Sequence, residues 1–491
     1  MPPELNDAGS RRIPRLATWA LAVAALGVLA AWNNGVATLA FAIALSCAIW
    51  RWPDVLLSAA LVVLLVGRPA LDMYSERRLG LGPFAISPAV VFGAGVLWVA
   101  LVVGVRRARD GKRFWPDPAL LRLHGWLLAT YVIGLVAGLR WYGMTGAATG
   151  VREAARLFSV IGVFLLVLWW VEGRPDRGRR GWVYLTIGAV TPIVVAIWQW
   201  ITVSGNLELE GINRLQGTFG HPHTFGPYLV PFILLAVAQA TQPGLTRRLT
   251  LLTVAGGLTV LLGLTYSRTA ELVLLTGLVL YLLLQAGQLD PRAVVRSAVA
   301  VLLFAALGWA VVGNAVRERF SGIRIGSEAI EAARTGQTEN SFEWRLLNWG
   351  GLIVVGTEHP YTGHGMGMTA VLNPQRDPAT DLPYTAHDDF VRVFFETGAV
   401  GLVCYIVYGI LLSMWALRAA RAVPAAEGSG ALGVVAAFIA LFFLTAGTPE
   451  FGTQTAVQYE VYTMLGLMTA SKRTGAPSAD RRREAAATKA A

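Results

Sequence analysis

Apolar runs of membrane length recur along the chain, and short polar connections separate them. A run such as Ala298–Val312 shows no period-two alternation, which argues against barrel strands. A helix needs about 20 apolar residues to cross a bilayer core, and about fourteen candidate spans can be read on that basis. They fall near 16–32, 35–50, 53–67, 84–105, 122–140, 152–171, 182–203, 224–242, 247–264, 269–286, 294–313, 388–417, 431–447 and 454–471. The first three are short, so about 12–14 crossings are predicted. The expected fold is all-α, a polytopic transmembrane helical bundle, because a helix satisfies its own backbone in lipid.

The connections are unequal. Some are short, basic and rich in Gly and Pro, as in EGRPDRGRRG (172–181); the longest, 314–387, needs structure of its own. Within it, Asn340-Ser-Phe-Glu343 fits a capping box that opens a helix. Arg345, Trp349 and Ile353 follow on one face, and Gly356 ends the helix. HPYTGHGMGM (359–368) reads as a glycine-rich turn whose backbone could approach a ligand closely. The expected organisation is a cytoplasmic segment 1–15, N-terminal transmembrane helices 16–313 and an extracytoplasmic helical cap 314–387. C-terminal transmembrane helices 388–471 and a disordered basic tail 472–491 complete it.

Composition strengthens the membrane assignment: 55% of residues are hydrophobic and 14% charged, with a mean hydropathy of +0.54. The net charge of +11 is largely a topology signal. Arg11-Arg12, Arg106-Arg107, Lys112-Arg113, Arg174, Arg177, Arg179-Arg180, Arg247-Arg248, Arg292, Arg296, Arg418, Arg421 and Lys472-Arg473 occupy alternate connections, with Arg77-Arg78 an exception. The positive-inside rule assigns these connections, and both termini, to the cytoplasm. The charge is therefore not a nucleic-acid footprint, and the tail from Arg481 to Arg483 with Lys489 suits anionic lipid. Arg11-Arg12 ahead of an apolar run resembles a secretory signal, but the spans that follow favour an uncleaved anchor. Cys47 and Cys404 lie within spans and suggest neither a disulfide framework nor a zinc site.

The remaining polar groups concentrate on the outer side. Arg214 precedes the eighth span, Arg268 opens the tenth with Glu271 a helical step on, and Arg140, Arg152 and Arg156 flank the outer connection between spans five and six. Five of six histidines share that face: His221, His223, His359, His364 and His387; His124 does not. Interfacial arginines can simply snorkel to headgroups, or pair with Glu210 or Glu271. Several converging on one face suit phosphate, which the guanidinium fork grips bidentately. A membrane-anchored polyprenyl pyrophosphate would need such groups.

In YTAHDDFVRVFFETGAVGL (384–402), local rules explain most of the charges. Thr385-x-x-Asp388 is a helix N-terminal signature, and Asp388–Arg392–Glu396 is an i, i+4 ladder. His387 has no such explanation, and a neutral imidazole there could accept a proton. His221-Pro-His223 as a metal pair is the weaker reading, because Pro222 and Thr224 more simply open a span.

These motifs together resemble the O-antigen ligase and O-antigen polymerase superfamily, mainly over residues 205–402. RLQGTFGHPHTFGPYL is similar to its Arg-Gly-Asn-Pro-Asn segment, TYSRTAELVLL to its Ser-Arg span start, EWRLLNWGGLIVVGTEHPYTGHGMGM to its Arg-x-x-x-Trp helix and His-Pro-x-x-Gly-x-Gly turn, and AHDDFVRVFFETGAVGL to its histidine block. His221 and His223 stand where the family carries asparagines, as does Asp388. The resemblance implies cofactor-free, metal-independent glycosyl transfer at the outer face of a bacterial cytoplasmic membrane, from an undecaprenyl-pyrophosphate-linked glycan to a glycan or lipid-glycan acceptor. By matching position, it implies His387 as base, Arg214 and Arg268 as pyrophosphate ligands and Arg345 as a residue that orders the cap. Asp388, His221, His223 and Arg152 are secondary candidates.

A surface-polysaccharide polymerase is the preferred expectation, with a ligase or a protein-directed oligosaccharide transferase as alternatives. A flippase and a chain-length regulator are the partner classes such an enzyme implies. A transporter of lipid-linked sugars is the rival from another class. It would place polar or broken helices at the midplane of two related halves, and neither is seen in the sequence.

Overall fold

The computed structural model describes residues 45–48, 50–71, 79–81, 84–86, 88–204, 207–209, 212–242, 244–286, 341–376, 381–423, 425–444 and 451–475 of the chain. The expected spans at 16–32 and 294–313, most of the one at 35–50, and the Asn340 cap position lie outside them. Helix α1 (Pro53–Val62) continues through a π-helical turn, Val63–Gly67, into α2 (Arg68–Leu71). Hairpin β1 (Leu79–Leu81) and β2 (Phe84–Ile86) precedes α3 (Pro88–Arg109), α4 (Pro118–Val171) and α5 (Pro175–Thr202). A second hairpin, β3 (Leu207–Leu209) and β4 (Ile212–Arg214), leads to α6 (Pro222–Ala240), α7 (Leu245–Gly263) and α8 (Arg268–Ala286). The chain then gives α9 (Ser341–Gly356), α10 (Thr369–Leu372), α11 (Asp389–Arg421), α12 (Ala425–Phe443) and α13 (Thr455–Gly475).

The fold is all-α and polytopic. Among the described residues, seven helices are long and apolar enough to cross a membrane. Helix α4 is one of them, and its 54 residues suffice for two crossings. It breaks at Gly143 (φ 58°, ψ −136°), so that two antiparallel limbs correspond to the separate spans read at 122–140 and 152–171. Helix α11 likewise breaks at Gly398 (φ 66°, ψ −172°), leaving a short first limb before the long apolar one. The span read from residue 84 begins instead at Pro88, because Phe84–Ile86 pairs with Leu79–Leu81. Helix α4 packs on α3, α11 and α13, while α6, α7, α8 and α12 form the neighbouring group. Helix α13 runs through the centre: Val457 to Met468 are all buried.

Glycines decide how tightly the limbs of α4 cross. A Cβ on Gly138 would lie 3.1 Å from the Gly146 carbonyl oxygen and 3.3 Å from the Gly365 Cα, and one on Gly146 would overlap the Gly138 carbonyl. The glycine-rich turn at 359–368 is consumed by this contact. Met366 N–H donates to Gly134 O (3.1 Å), His364 N–H to Phe395 O (2.9 Å) and Gly365 N–H to Glu396 O (2.8 Å). The turn's close backbone approach is thus to other backbone, and it ties the cap to both α4 and α11. A Gly146→Val substitution is expected to destabilise the crossing by about 1–3 kcal/mol through overpacking. Thermal unfolding in detergent reads this, and a wild-type melting curve would contradict it.

Candidate functional site

Helix direction alternates through the bundle, so one end collects Gly143, the end of α5, the starts of α6, α8 and α11, and the start of α13. The opposite end carries basic side chains in ion pairs, including Arg107 with Glu172 (2.6 Å) and Arg177 with Asp54 (3.2 Å). Conserving that separation, the polar cluster singled out by the sequence assembles wholly at the first end.

Arg214 closes β4 and is 3% exposed, so it does not snorkel to lipid headgroups. His221 caps α6, its Nδ1 accepting the His223 backbone N–H at 3.1 Å, and the two imidazoles stack with centroids 4.7 Å apart. That cap gives the His-Pro-His pair a local structural role: Pro222 is the first residue of the helix and Thr224 follows in its first turn, as read, and His221 supplies the cap. His223 Nδ1 lies 3.0 Å from Ser267 Oγ, and Ser267 directly precedes Arg268 at the start of α8. Gln454, just before α13, reaches the His223 carbonyl at 3.5 Å.

His387 comes from the other half of the sequence. Trp344 meets its ring edge-on, centroids 5.4 Å apart. Burial, then the neighbouring Arg345 guanidinium and His221, lower the His387 imidazole to about 4. His221 is also lowered to about 4, by burial, Arg214 and Arg345 in that order. His223 lies within electrostatic range of His221, Arg345, Arg214 and His387. Arg214, His221, His223, Arg345 and His387 therefore form one cluster, drawn from β4, α6, α9 and the loop before α11. Burial and the neighbouring guanidinium groups disfavour the charged forms of His221 and His387, which leaves the arginines as the cluster's charge. A basic, partly desolvated cluster of this kind suits an anion.

The structure alters several details. The N-cap of α11 is Asp388 itself, whose Oδ1 accepts Val391 N–H at 2.9 Å, so the cap is not Thr385. Burial raises the Asp388 carboxyl above its ordinary value, opposed by that backbone bond. Arg392 pairs with Asp389 (2.8 Å) and Glu396 (3.2 Å) rather than with Asp388. Asp389 also accepts Gly452 N–H at 2.7 Å, which fastens α11 to the start of the α13 segment. Arg345 reaches the cluster itself, beyond the cap-ordering part expected of it. Arg152 is exposed beside Glu153 (3.9 Å), and Glu153 also pairs with Arg156. Of the other histidines, His364 accepts from or donates to Tyr142 Oη at 2.6 Å and bonds Val355 O at 2.9 Å, while His359 stacks on Trp141 at 4.1 Å. His124 lies buried in α4, its Nδ1 bonded to Leu120 O at 2.8 Å.

Sequence patterns had no means of marking Asn348 and Asn373, both buried, as neighbours of this cluster. Trp349, on the stripe with Arg345, and Ser267, in the Ser-Arg pair that opens the tenth span, carried a signal of type but not of place.

A polytopic helical membrane protein with a buried arginine–histidine cluster at one end of its bundle defines the class. Within it, residues 249–406 match the family model described as O-antigen ligase. That match, over about a third of the chain, supports a membrane enzyme of the O-antigen ligase/polymerase type. Among curated proteins, no sequence matches the chain.

Proposed function

We propose that the chain transfers a glycan from a polyprenyl-pyrophosphate carrier to a sugar hydroxyl at the outer face of the cytoplasmic membrane, as a surface-polysaccharide polymerase. One observation carries the reading: Arg214, Arg345 and His387, far apart in sequence, lie in one cluster with His221. The separation of this cluster from the basic end of the bundle supports an extracytoplasmic site with cytoplasmic termini.

Glycosyl transfer passes through an oxocarbenium-like state in which the leaving diphosphate gains negative charge. Arg214, Arg345 and Arg268 are fixed cations that stabilise that change without reorganising. His387 takes the proton of the attacking hydroxyl as the new glycosidic bond forms. With an imidazole lowered to about 4, His387 is a neutral but weak base before donor binds. Arrival of a diphosphate offsets the guanidinium charge and raises the basicity of His387 when it is needed.

This ordering predicts a pH signature. A lowered value means His387 charges only as pH falls towards about 4 in the donor-free enzyme. The acid limb of kcat/KM, which reports the free enzyme, should therefore fall at lower pH than the acid limb of kcat, which reports the bound one. Coincident limbs near the ordinary histidine value would oppose the scheme.

Product analysis after deletion tests the acceptor. A polymerase deletion leaves a single repeat unit attached to its final acceptor. Loss of all attachment would instead indicate a lipid-glycan ligase, and loss of protein-linked glycan a protein-directed transferase.

A further inference from the structure

Among the described residues, His387 is one of four non-glycine residues with a positive φ, 55°. L side chains rarely adopt this conformation, and it persists only where the surroundings enforce it. Here three consecutive carbonyls leading into His387 are held by side chains. Asn373 Nδ2 donates to Tyr384 O at 2.8 Å, and Asn348 Nδ2 donates to Thr385 O at 3.0 Å and to Ala386 O at 3.2 Å. Trp349 Nε1 donates to Ala386 O at 2.9 Å.

The holders are themselves coupled. Asn373 Nδ2 also donates to Asn348 Oδ1 at 2.9 Å, and Asn373 Oδ1 accepts Gln375 N–H at 3.0 Å. Asn348 is 0% and Asn373 1% exposed, so neither amide finds water for its polar atoms. Burying an amide is costly unless its hydrogen bonds are made, and most of these go to the strip of backbone before His387. On α9, Arg345 and Asn348 are three residues apart and Arg345 and Trp349 four, so one helix carries both the anion-facing charge and the holders.

We propose that Asn348, Trp349 and Asn373 are positioning residues that set the His387 backbone and so aim its imidazole at the acceptor hydroxyl. The inference rests on His387 being the base. Its expected signature is selective. Misplacing a catalytic group by about 1 Å costs roughly 100-fold in turnover, whereas the arginines that bind donor stay in place.

The test compares Trp349→Phe, Asn348→Ala, Asn373→Ala and the Trp349→Phe/Asn348→Ala pair with wild type and His387→Ala, as full-length protein in detergent. Trp349→Phe keeps the ring packing and removes only the N–H. The expected result is kcat lowered about 10-fold in the single variants and roughly 100-fold in the pair, with donor KM within twofold and a near-native melting curve for Trp349→Phe. Unchanged kcat in Trp349→Phe and the pair would overturn the proposal. So would kcat and donor KM degrading in step with loss of folded protein, the mark of a purely structural part. If His387→Ala itself keeps turnover, the catalytic reading fails instead, whatever the positioning variants do.

Discussion

A His387→Ala variant is expected to transfer no detectable glycan while lipid-linked donor accumulates on the outer leaflet. A positioned general base contributes typically 100- to 10,000-fold, so the loss should exceed that of any other single change at the site. The physical basis is local. His387 lies within electrostatic range of Arg345 and His221, with its ring set edge-on to Trp344 and its charged form disfavoured, chiefly by burial. Leaflet-resolved labelling of the donor separates this from the transporter reading, in which donor would be trapped on the inner leaflet. Wild-type polymer from His387→Ala would remove the residue from the chemistry.

The second large effect concerns the arginines. Arg214→Lys and Arg268→Lys are each expected to lower turnover by roughly 100-fold, the scale seen when one preorganised donor to a developing anion is lost. Lysine keeps the charge but offers a point donor where the guanidinium offers a planar fork. Arg214 is the sharper case, because it is buried at the end of β4, where the shorter lysine side chain ends in a single ammonium. Steady-state rates with a fixed lipid-diphosphate donor measure this. Near-wild-type turnover in both variants would take the diphosphate role from these two residues.

The bundle was legible because lipid leaves few choices: apolar length and flanking charge marked most helices to within a few residues. Gly356 closes α9 as read, and residues 268–286 form α8 one residue earlier than read. What failed to show was anything that depends on a partner distant in sequence. Phe84–Ile86 is apolar enough to look like the start of a span, yet it pairs across a hairpin. The turn at 359–368 looked available to a ligand because nothing in its own residues reveals that Gly138 and Gly146 leave a seam for it. Asp388 and Thr385 both satisfy capping rules, and only the left-handed backbone at His387 decides that the helix starts after Asp388.

The candidate site divides in the same way. Residue types suited to phosphate and proton transfer stood out as polar groups in an apolar chain, which brought His387, Arg214 and Arg268 forward as candidates. The reach of Arg345 into the cluster, the exposure of Arg152 and the buried asparagines behind Ala386 are properties of packing. Arg345 and Arg152 carry the same charge; one lies within electrostatic range of His221 and His387, and the other faces Glu153 and solvent.

The most direct test of the central claim is a structure of the protein bound to a polyprenyl-diphosphate sugar. The diphosphate should lie within hydrogen-bonding distance of Arg214 and Arg345, with His387 facing the anomeric carbon from the side opposite the leaving oxygen. A diphosphate seated elsewhere, with this cluster unengaged, would contradict the account.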